Sequence, residues 1–187
     1  MEIEKFIKIY DNVFDFKHVA SLIKYAANKI EFEDAKILGD NDDQIIEKST
    51  RKTKAYTFCK DSLSSLHWGQ YLRYVIRRAF AMYNSNHDTI AKKIDTIEIL
   101  KYEEGGFYRV HSDHHPSIPR TLSVIIFLNN DYEGGELNFH NPFNNKVYLT
   151  IKPHPGRCII WPSNFMYPHS VSPVKKGTRY AIVSWLL

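Results

Sequence analysis

The chain has 187 residues, of which 43% are hydrophobic and 14% aromatic, a composition that predicts one soluble globular domain with a sizeable core. Its net charge of +4 is too small to indicate nucleic-acid binding by itself, and no apolar run is long enough to span a membrane. We expect no secretory signal, because the first residues of the sequence do not form an apolar run. Cys59 and Cys158 are expected to be free thiols in a reducing cytoplasm.

The first half of the sequence is predicted to be mainly helical. After a strand candidate at residues 6–10, Asp15 is placed to cap a helix with an apolar face, formed by Val19, Ile23, Tyr25 and Ala26. Residues 31–52 are polar and contain a loop signal, GDNDD, that begins at Gly39. Because this stretch is long for a plain connection, we expect a mobile segment or a lid.

A second helix is predicted over residues 62–83, after a strand candidate at residues 55–58. Apolar residues recur along it at near-helical spacing. Its basic residues mostly occupy the other side, and we expect them to face solvent rather than nucleic acid; they are Arg73, Arg77 and Arg78.

From Ile94 onward the pattern changes to short strands separated by Gly, Pro and Asn clusters. The predicted strands are 96–102, 120–128, 137–139, 147–151, 157–161, 169–171 and 179–186. Short strands that follow helices indicate an α+β protein with two facing sheets, here of the jelly-roll type. We therefore predict a single domain over residues 1–187, with a helical N-terminal support region at 1–93 that braces the larger sheet of a jelly-roll core at 94–187.

A His-Ser-Asp triplet at residues 111–113 is the first sign of a metal site. Side chains alternate along a strand, so His111 and Asp113 are expected to point to the same side. His169, from a distant strand, can complete three ligands. Two histidines and one carboxylate with open positions are typical of non-haem Fe(II) oxygenases. By itself the triplet would equally suit a surface loop, with His169 as a hydrogen-bonded core histidine.

Two further histidines, His114 and His115, are expected to stay outside this ligand set. His115 has the same strand parity as His111, but Pro116 follows it and is expected to end the strand. We expect both side chains at the surface or at the entrance of the site.

Arg179 is predicted to hold an anionic co-substrate. It lies ten residues after His169, and its planar fork matches a carboxylate. Ala181, Val183 and Trp185 share its face of the strand and are apolar. A charge on an apolar face needs a partner, which a bound dicarboxylate would supply; the alternative is a surface arginine.

The residues around these positions form a longer pattern. It reads YEEGGFYRVHSD from Tyr102, YEGGEL from Tyr132, HSVSPV from His169 and GTRY from Gly177. In this order and spacing it resembles the catalytic domain of the Fe(II)/2-oxoglutarate dioxygenases, in particular the prolyl 4-hydroxylase-like branch. The resemblance covers about residues 97–187.

This resemblance implies a double-stranded β-helix that binds Fe(II) through His111, Asp113 and His169. The implied co-substrates are 2-oxoglutarate and O2, with ascorbate as a candidate reductant. The expected reaction is hydroxylation of an aliphatic C–H bond, with peptidyl proline as the expected substrate.

Three alternatives stay open: another amino-acid or small-molecule substrate, a nucleic-acid demethylase, and a non-enzymatic β-sandwich binding module. A demethylase is expected to show a more basic face with base-stacking aromatics. A binding module would not need the three ligands and Arg179 together. We therefore expect no nucleic-acid or membrane partner, and the sequence leaves the oligomeric state open.

The resemblance also assigns residues to 2-oxoglutarate. Arg179 is expected to bind the far carboxylate of 2-oxoglutarate. Tyr102 is expected to donate a hydrogen bond to 2-oxoglutarate. Several prolyl hydroxylases have a tyrosine where this chain has Phe127, which carries no hydroxyl. Ser123 shares the strand parity of Phe127 and is the expected replacement, with Thr121 as the other candidate.

The substrate is expected to lie at the mouth of the site. Tyr108 matches a second family tyrosine there, and Trp185 is expected to line both the co-substrate pocket and the substrate path. Residues 31–52 are expected to fold over an extended proline-containing peptide.

Overall fold

The computed structural model describes residues 3–38, 44–59 and 61–187, so the predicted loop at Gly39 lies outside the described residues. Up to residue 84, a 3-10 helix (Ile3–Phe6) is followed by β1 (Lys8–Tyr10), α1 (Phe16–Lys29), β2 (Glu33–Asp34), β3 (Ile37–Leu38), β4 (Gln44–Ile45), β5 (Arg51–Lys52), β6 (Lys54–Thr57) and α2 (Leu63–Asn84). The later elements are β7 (Ile94–Tyr102), β8 (Phe107–His111), β9 (Leu122–Phe127), β10 (Glu133–Gly134), β11 (Leu137–His140), β12 (Val147–Ile151), β13 (Cys158–Pro162), β14 (His169–Val171), β15 (Val174–Lys176) and β16 (Arg179–Leu186). No helix in the described ranges combines the length and apolar character that crossing a membrane requires.

Two facing antiparallel sheets form the centre of the fold. The larger has seven strands in the order β1-β13-β9-β16-β7-β6-β2, and the smaller has five in the order β12-β11-β14-β8-β5. The strands β10 and β15 pair separately, as do β3 and β4. This arrangement confirms the predicted α+β jelly roll.

Side-chain alternation along the central strand β16 separates two apolar layers. Tyr180 and Ile182 belong to the layer between the larger sheet and the helices. Ala181 and Val183 belong to the layer between the two sheets. Arg179 has the parity of this inner layer and is 1% exposed, so the strand directs a charged side chain into the interior of the sandwich.

The two helices pack on the outer face of the larger sheet, as predicted. The Ser62 hydroxyl accepts a hydrogen bond from the Ser65 N–H at 3.1 Å, which satisfies one free N–H at the start of α2. From there, buried residues recur every three or four positions; they are Trp68, Leu72, Val75, Ile76, Ala79 and Tyr83. Arg77 and Arg78 are exposed on the opposite side, also as predicted.

The N-terminal region contributes more strands than the sequence predicts. The strands β1, β2 and β6 extend the larger sheet, and β5 is the edge of the smaller sheet. Two of these have only two residues each, too few for a side-chain period to be detected. Residues 1–93 therefore supply both the helical support and sheet edges that border the site.

Candidate active site

The metal ligands predicted from the sequence lie together at one end of the smaller sheet. His111 is the last residue of β8 and pairs directly with His169, the first residue of β14. Asp113 follows β8 rather than belonging to it, so the turn after the strand, not strand alternation, brings it to the same side. One ligand atom of each residue lies within 4.8 Å of the others.

Backbone carbonyls orient both imidazoles. Nδ1 of His111 lies 2.8 Å from the Arg109 carbonyl oxygen, and Nδ1 of His169 lies 3.1 Å from that of Tyr167. Because a carbonyl can only accept, each Nδ1 carries a proton, and in the neutral imidazole Nε2 keeps a free lone pair. These Nε2 atoms lie 3.8 and 3.5 Å from the two carboxylate oxygens of Asp113.

The carboxylate of Asp113 is held by a hydroxyl from the larger sheet. Ser123 on β9 donates to it at 2.6 Å and lies 2.8 Å from the Ser163 hydroxyl. The Ser123 hydroxyl is thus bonded to Asp113, and its expected contact with the co-substrate stays a prediction. On β9, Ser123 is paired with Trp185, whereas Phe127 is paired with Ala181 nearer to Arg179, and a strand advances about 3.3 Å per residue.

Protonation in the cluster suits a divalent cation. Burial, followed by the proximity of His169, lowers the pKa of His111 to about 3, so this imidazole is neutral at physiological pH. Burial opposes the ionisation of Asp113, but the adjacent imidazoles and the Ser123 hydroxyl outweigh it and hold its pKa below the usual range. Three hydrogen-bond acceptors thus face one another with no N–H or O–H group between them. Fe(II) suits this set of ligand atoms.

Aromatic rings enclose the histidines. The Tyr108 ring stacks on His111 with a centroid separation of 3.6 Å and an interplanar angle of 19°. The Trp161 ring meets His169 edge-on at 5.0 Å. Since Trp161 is fully buried, the rings fix the ligand orientation and keep water away from one side of the cluster.

Arg179 is a buried cation for which the described residues provide no ion pair. Its guanidinium carbon lies 4.9 Å from the Tyr102 ring centroid and 5.3 Å from that of Phe127, which is cation–π distance. Its Nε and Nη2 atoms are buried and have no hydrogen-bond partner among the described residues. Burying a charge is costly unless it is paired, so the structure supports a binding site for an anion here.

The cluster opens into a cleft of about 490 Å³. Its wall contains the predicted site residues Tyr102, Tyr108 and Trp185, as well as Trp161 and Val183. His114 and His115 also line it, but the metal-ligand cluster of the described residues does not include them. The described part of segment 31–52 adds residues to the wall: Glu33, Asp34, Ala35, Lys36, Ile37, Gln44, Thr50 and Arg51.

Two arginines in the cleft wall are absent from the sequence-based assignment. The Arg51 guanidinium carbon lies 4.7 Å from the Tyr108 ring centroid, and that of Arg120 lies 3.8 Å from the Trp185 ring centroid. Both Nε atoms are buried without a partner within the described ranges. No sequence signal marks them, because an arginine beside a loop ordinarily faces solvent.

The chain matches known proteins both in sequence and in fold. Residues 97–187 match the 2OG-Fe(II) oxygenase superfamily. The chain is 35% identical over 103 residues to a PKHD-type hydroxylase of Synechococcus sp. (strain JA-2-3B'a(2-13)), covering 51% of this chain and 44% of that protein. It is 39% identical over 66 residues to prolyl 3-hydroxylase 2 of Homo sapiens, covering 35% and 9%. It therefore spans less than half the length of these curated relatives.

The fold also has a solved counterpart. A prolyl hydroxylase in complex with a hypoxia inducible factor oxygen degradation domain peptide fragment, from Trichoplax adhaerens, superposes on 97% of this chain and 83% of that chain. The TM-score is 0.78 at 20% sequence identity. This likeness shows the jelly-roll fold.

Removing the hydroxyl that holds Asp113 should weaken metal binding. Ser123→Ala is expected to reduce the affinity for Mn(II) about 10- to 100-fold, because an orienting partner of a metal ligand is lost. Calorimetric titration measures this directly. Ser184→Ala is the matched control, since that buried serine donates to the Thr96 carbonyl instead; equal affinities of the two variants would contradict the role of Ser123.

The stability of the metal-free protein should fall in acid. The pKa of His111 is about 3 when folded, against 6.5 ordinarily, so the unfolded chain binds more protons between these values and stability rises with pH there. Urea unfolding between about pH 7 and pH 4 should show a shallower pH dependence for His111→Gln. The exposed-site variant His154→Gln should keep the original slope; identical slopes for His111→Gln and the unchanged protein would be inconsistent with this account.

Proposed function

We propose that the chain, whose residues 97–187 match the 2OG-Fe(II) oxygenase superfamily, is an Fe(II)- and 2-oxoglutarate-dependent dioxygenase acting on peptidyl proline. The observation that carries the proposal is a cluster of two histidines and one carboxylate at the floor of a cleft. An unpaired arginine buried beside one wall residue of that cleft complements it.

The metal and the co-substrate would be bound by residues from different parts of the sandwich. His111, Asp113 and His169 would hold Fe(II), and Arg179 of the larger sheet would pair with the far carboxylate of 2-oxoglutarate. When bound, these groups supply, with O2, the oxidising chemistry that hydroxylates an unactivated C–H bond. The chain itself supplies ligands, orientation and a pocket from which Trp161 and its neighbours exclude water.

The polarity of the cleft supports a peptide substrate. Arg51, Arg120 and Trp185 each bring a buried N–H donor without an acceptor in the described part of the chain. A proline-containing peptide offers backbone carbonyls, while its prolyl residues lack an N–H. Proline also favours the extended polyproline II form, which suits a cleft bordered by the described residues 33–37, 44 and 50–51. The relatives whose names include prolyl hydroxylase support the same substrate class.

We also propose a cytoplasmic location. Cys59 and Cys158 are free, and burial raises the pKa of the Cys158 thiol, so it stays protonated and unreactive. A reducing compartment would also keep iron ferrous. Cell fractionation tests this, and recovery of the protein only outside the cytoplasm would contradict it.

A panel of proline-rich peptides tests the proposed reaction. The Fe(II)-loaded protein with 2-oxoglutarate should add one oxygen atom to a peptide and release one succinate per hydroxylation, as measured by mass spectrometry. His169→Ala should abolish both signals because a ligand is lost, whereas His115→Ala should retain both. Faster hydroxylation of free proline than of any peptide would contradict the peptide assignment, and product analysis identifies the ring carbon.

Arg179 should control the affinity for 2-oxoglutarate. Arg179→Ala is expected to raise the KM for 2-oxoglutarate roughly 10- to 150-fold, since a hydrogen bond to a charged group contributes about 1.5–3 kcal/mol. Arg179→Lys keeps the charge but loses the planar pair of N–H groups. Its KM for 2-oxoglutarate should lie between those of the unchanged protein and Arg179→Ala. Arg77→Ala, on the exposed side of α2, is the control. An unchanged KM in Arg179→Ala would assign the carboxylate to another residue.

A further inference from the structure

Three buried polar atoms without a partner in the described ranges come from two adjacent side chains. They are Nε and Nη2 of Arg179 and the hydroxyl oxygen of Tyr132. Tyr132 is the first residue of the YEGGEL stretch and directly precedes β10. Each unsatisfied buried donor is costly; the Arg179 guanidinium can only donate, and the Tyr132 hydroxyl beside it can donate as well as accept.

Tyr132 and Arg179 both lie against the same glycine. Gly135 has a φ of +65°, and a Cβ added to it would lie 3.1 Å from both Arg179 Cδ and Tyr132 Cε2. Both side chains therefore pack against the same bare backbone position. Burial raises the pKa of Tyr132, and the nearby Arg179 offsets only part of that rise, so the phenol keeps its proton and remains a donor.

The other hydroxyls considered for this place are elsewhere. Ser123 donates to Asp113. The Thr121 N–H donates to the Leu186 carbonyl, which lies at the opposite end of β16 from Arg179. Phe127 presents only a ring face to the guanidinium. Among these candidates, only Tyr132 has a hydroxyl on a side chain that the described structure places against Arg179.

We propose that Tyr132 and Arg179 together bind the carboxylate of 2-oxoglutarate that is remote from the metal. The proposal rests on the proposed function. The hydroxyl of Tyr132 compensates for the one that Phe127 lacks, and Phe127 instead stabilises the guanidinium through its ring. Because the guanidinium only donates and the phenol hydroxyl can donate to the same oxygen atoms, the pair selects an oxo acid with a second carboxylate over one with an apolar tail.

Calorimetry on the Mn(II)-loaded protein tests the assignment without turnover. Tyr132→Phe should weaken 2-oxoglutarate binding roughly 10- to 100-fold, as expected for the loss of a hydrogen bond to a charged group. Binding of 2-oxopentanoate, which has no second carboxylate, should stay unchanged. Tyr148→Phe is the matched control because its hydroxyl is also buried without a partner among the described residues, and both affinities should be unaffected.

Thermal unfolding gives a second readout. Without 2-oxoglutarate, Tyr132→Phe should be at least as stable as the unchanged protein, because an unsatisfied buried hydroxyl is removed. The rise in Tm on adding 2-oxoglutarate at one fixed concentration should be smaller in this variant than in Tyr148→Phe. The two variants thus differ only when the dicarboxylate is present.

The outcomes separate this inference from the proposed function. If the unchanged protein binds 2-oxoglutarate and Tyr132→Phe binds it equally well, the role of Tyr132 is overturned and the proposed function stands. If Tyr132→Phe lowers the affinities for 2-oxoglutarate and 2-oxopentanoate alike, the hydroxyl does not bind the second carboxylate. This result also overturns the inference. Failure of the unchanged protein to bind 2-oxoglutarate at all would overturn both.

Discussion

The buried guanidinium of Arg179, which has no carboxylate partner in the described part of the chain, sets the chemistry of this molecule. Arg179 is 1% exposed, and two of its nitrogen atoms have no partner among the described residues. The rings of Tyr102 and Phe127 reduce the cost of burying its charge but do not satisfy its N–H groups. Binding of an anion beside Arg179 would therefore stabilise the folded chain.

The site depends on the spacing of two sheets that carry different parts of it. The smaller sheet supplies the paired histidines, while the larger sheet supplies Arg179 and, through Ser123, the support of Asp113. The helices pack only on the outside of the larger sheet, so they stiffen it without entering the site. This rigidity matters because ligands must be held within a fraction of an ångström of their working positions.

The two ends of the site differ in hydrogen-bonding character. The metal end presents acceptors, namely two Nε2 lone pairs and a carboxylate. The arginines of the cleft wall and the surroundings of Arg179 present donors. A cation at one end and carboxylate or carbonyl oxygens at the other satisfy both sets. Under the proposed function, this complementarity would place the metal, the dicarboxylate and the peptide in one arrangement, and it would give Arg51, Arg120 and Arg179 the acceptors that the described residues do not supply.

The sequence by itself determined the sandwich, the metal-ligand candidates and the inward direction of Arg179. Strand alternation and motif spacing are local properties, and alternation placed Ala181 and Val183 correctly in the inner layer. Only the tertiary structure decided that Ser123 supports Asp113, that Arg51 and Arg120 line the cleft, and that Tyr132 lies against Arg179. These contacts join residues of different strands and turns. Strand register and the path of the turns set them, and a single sequence carries no periodic signal for either.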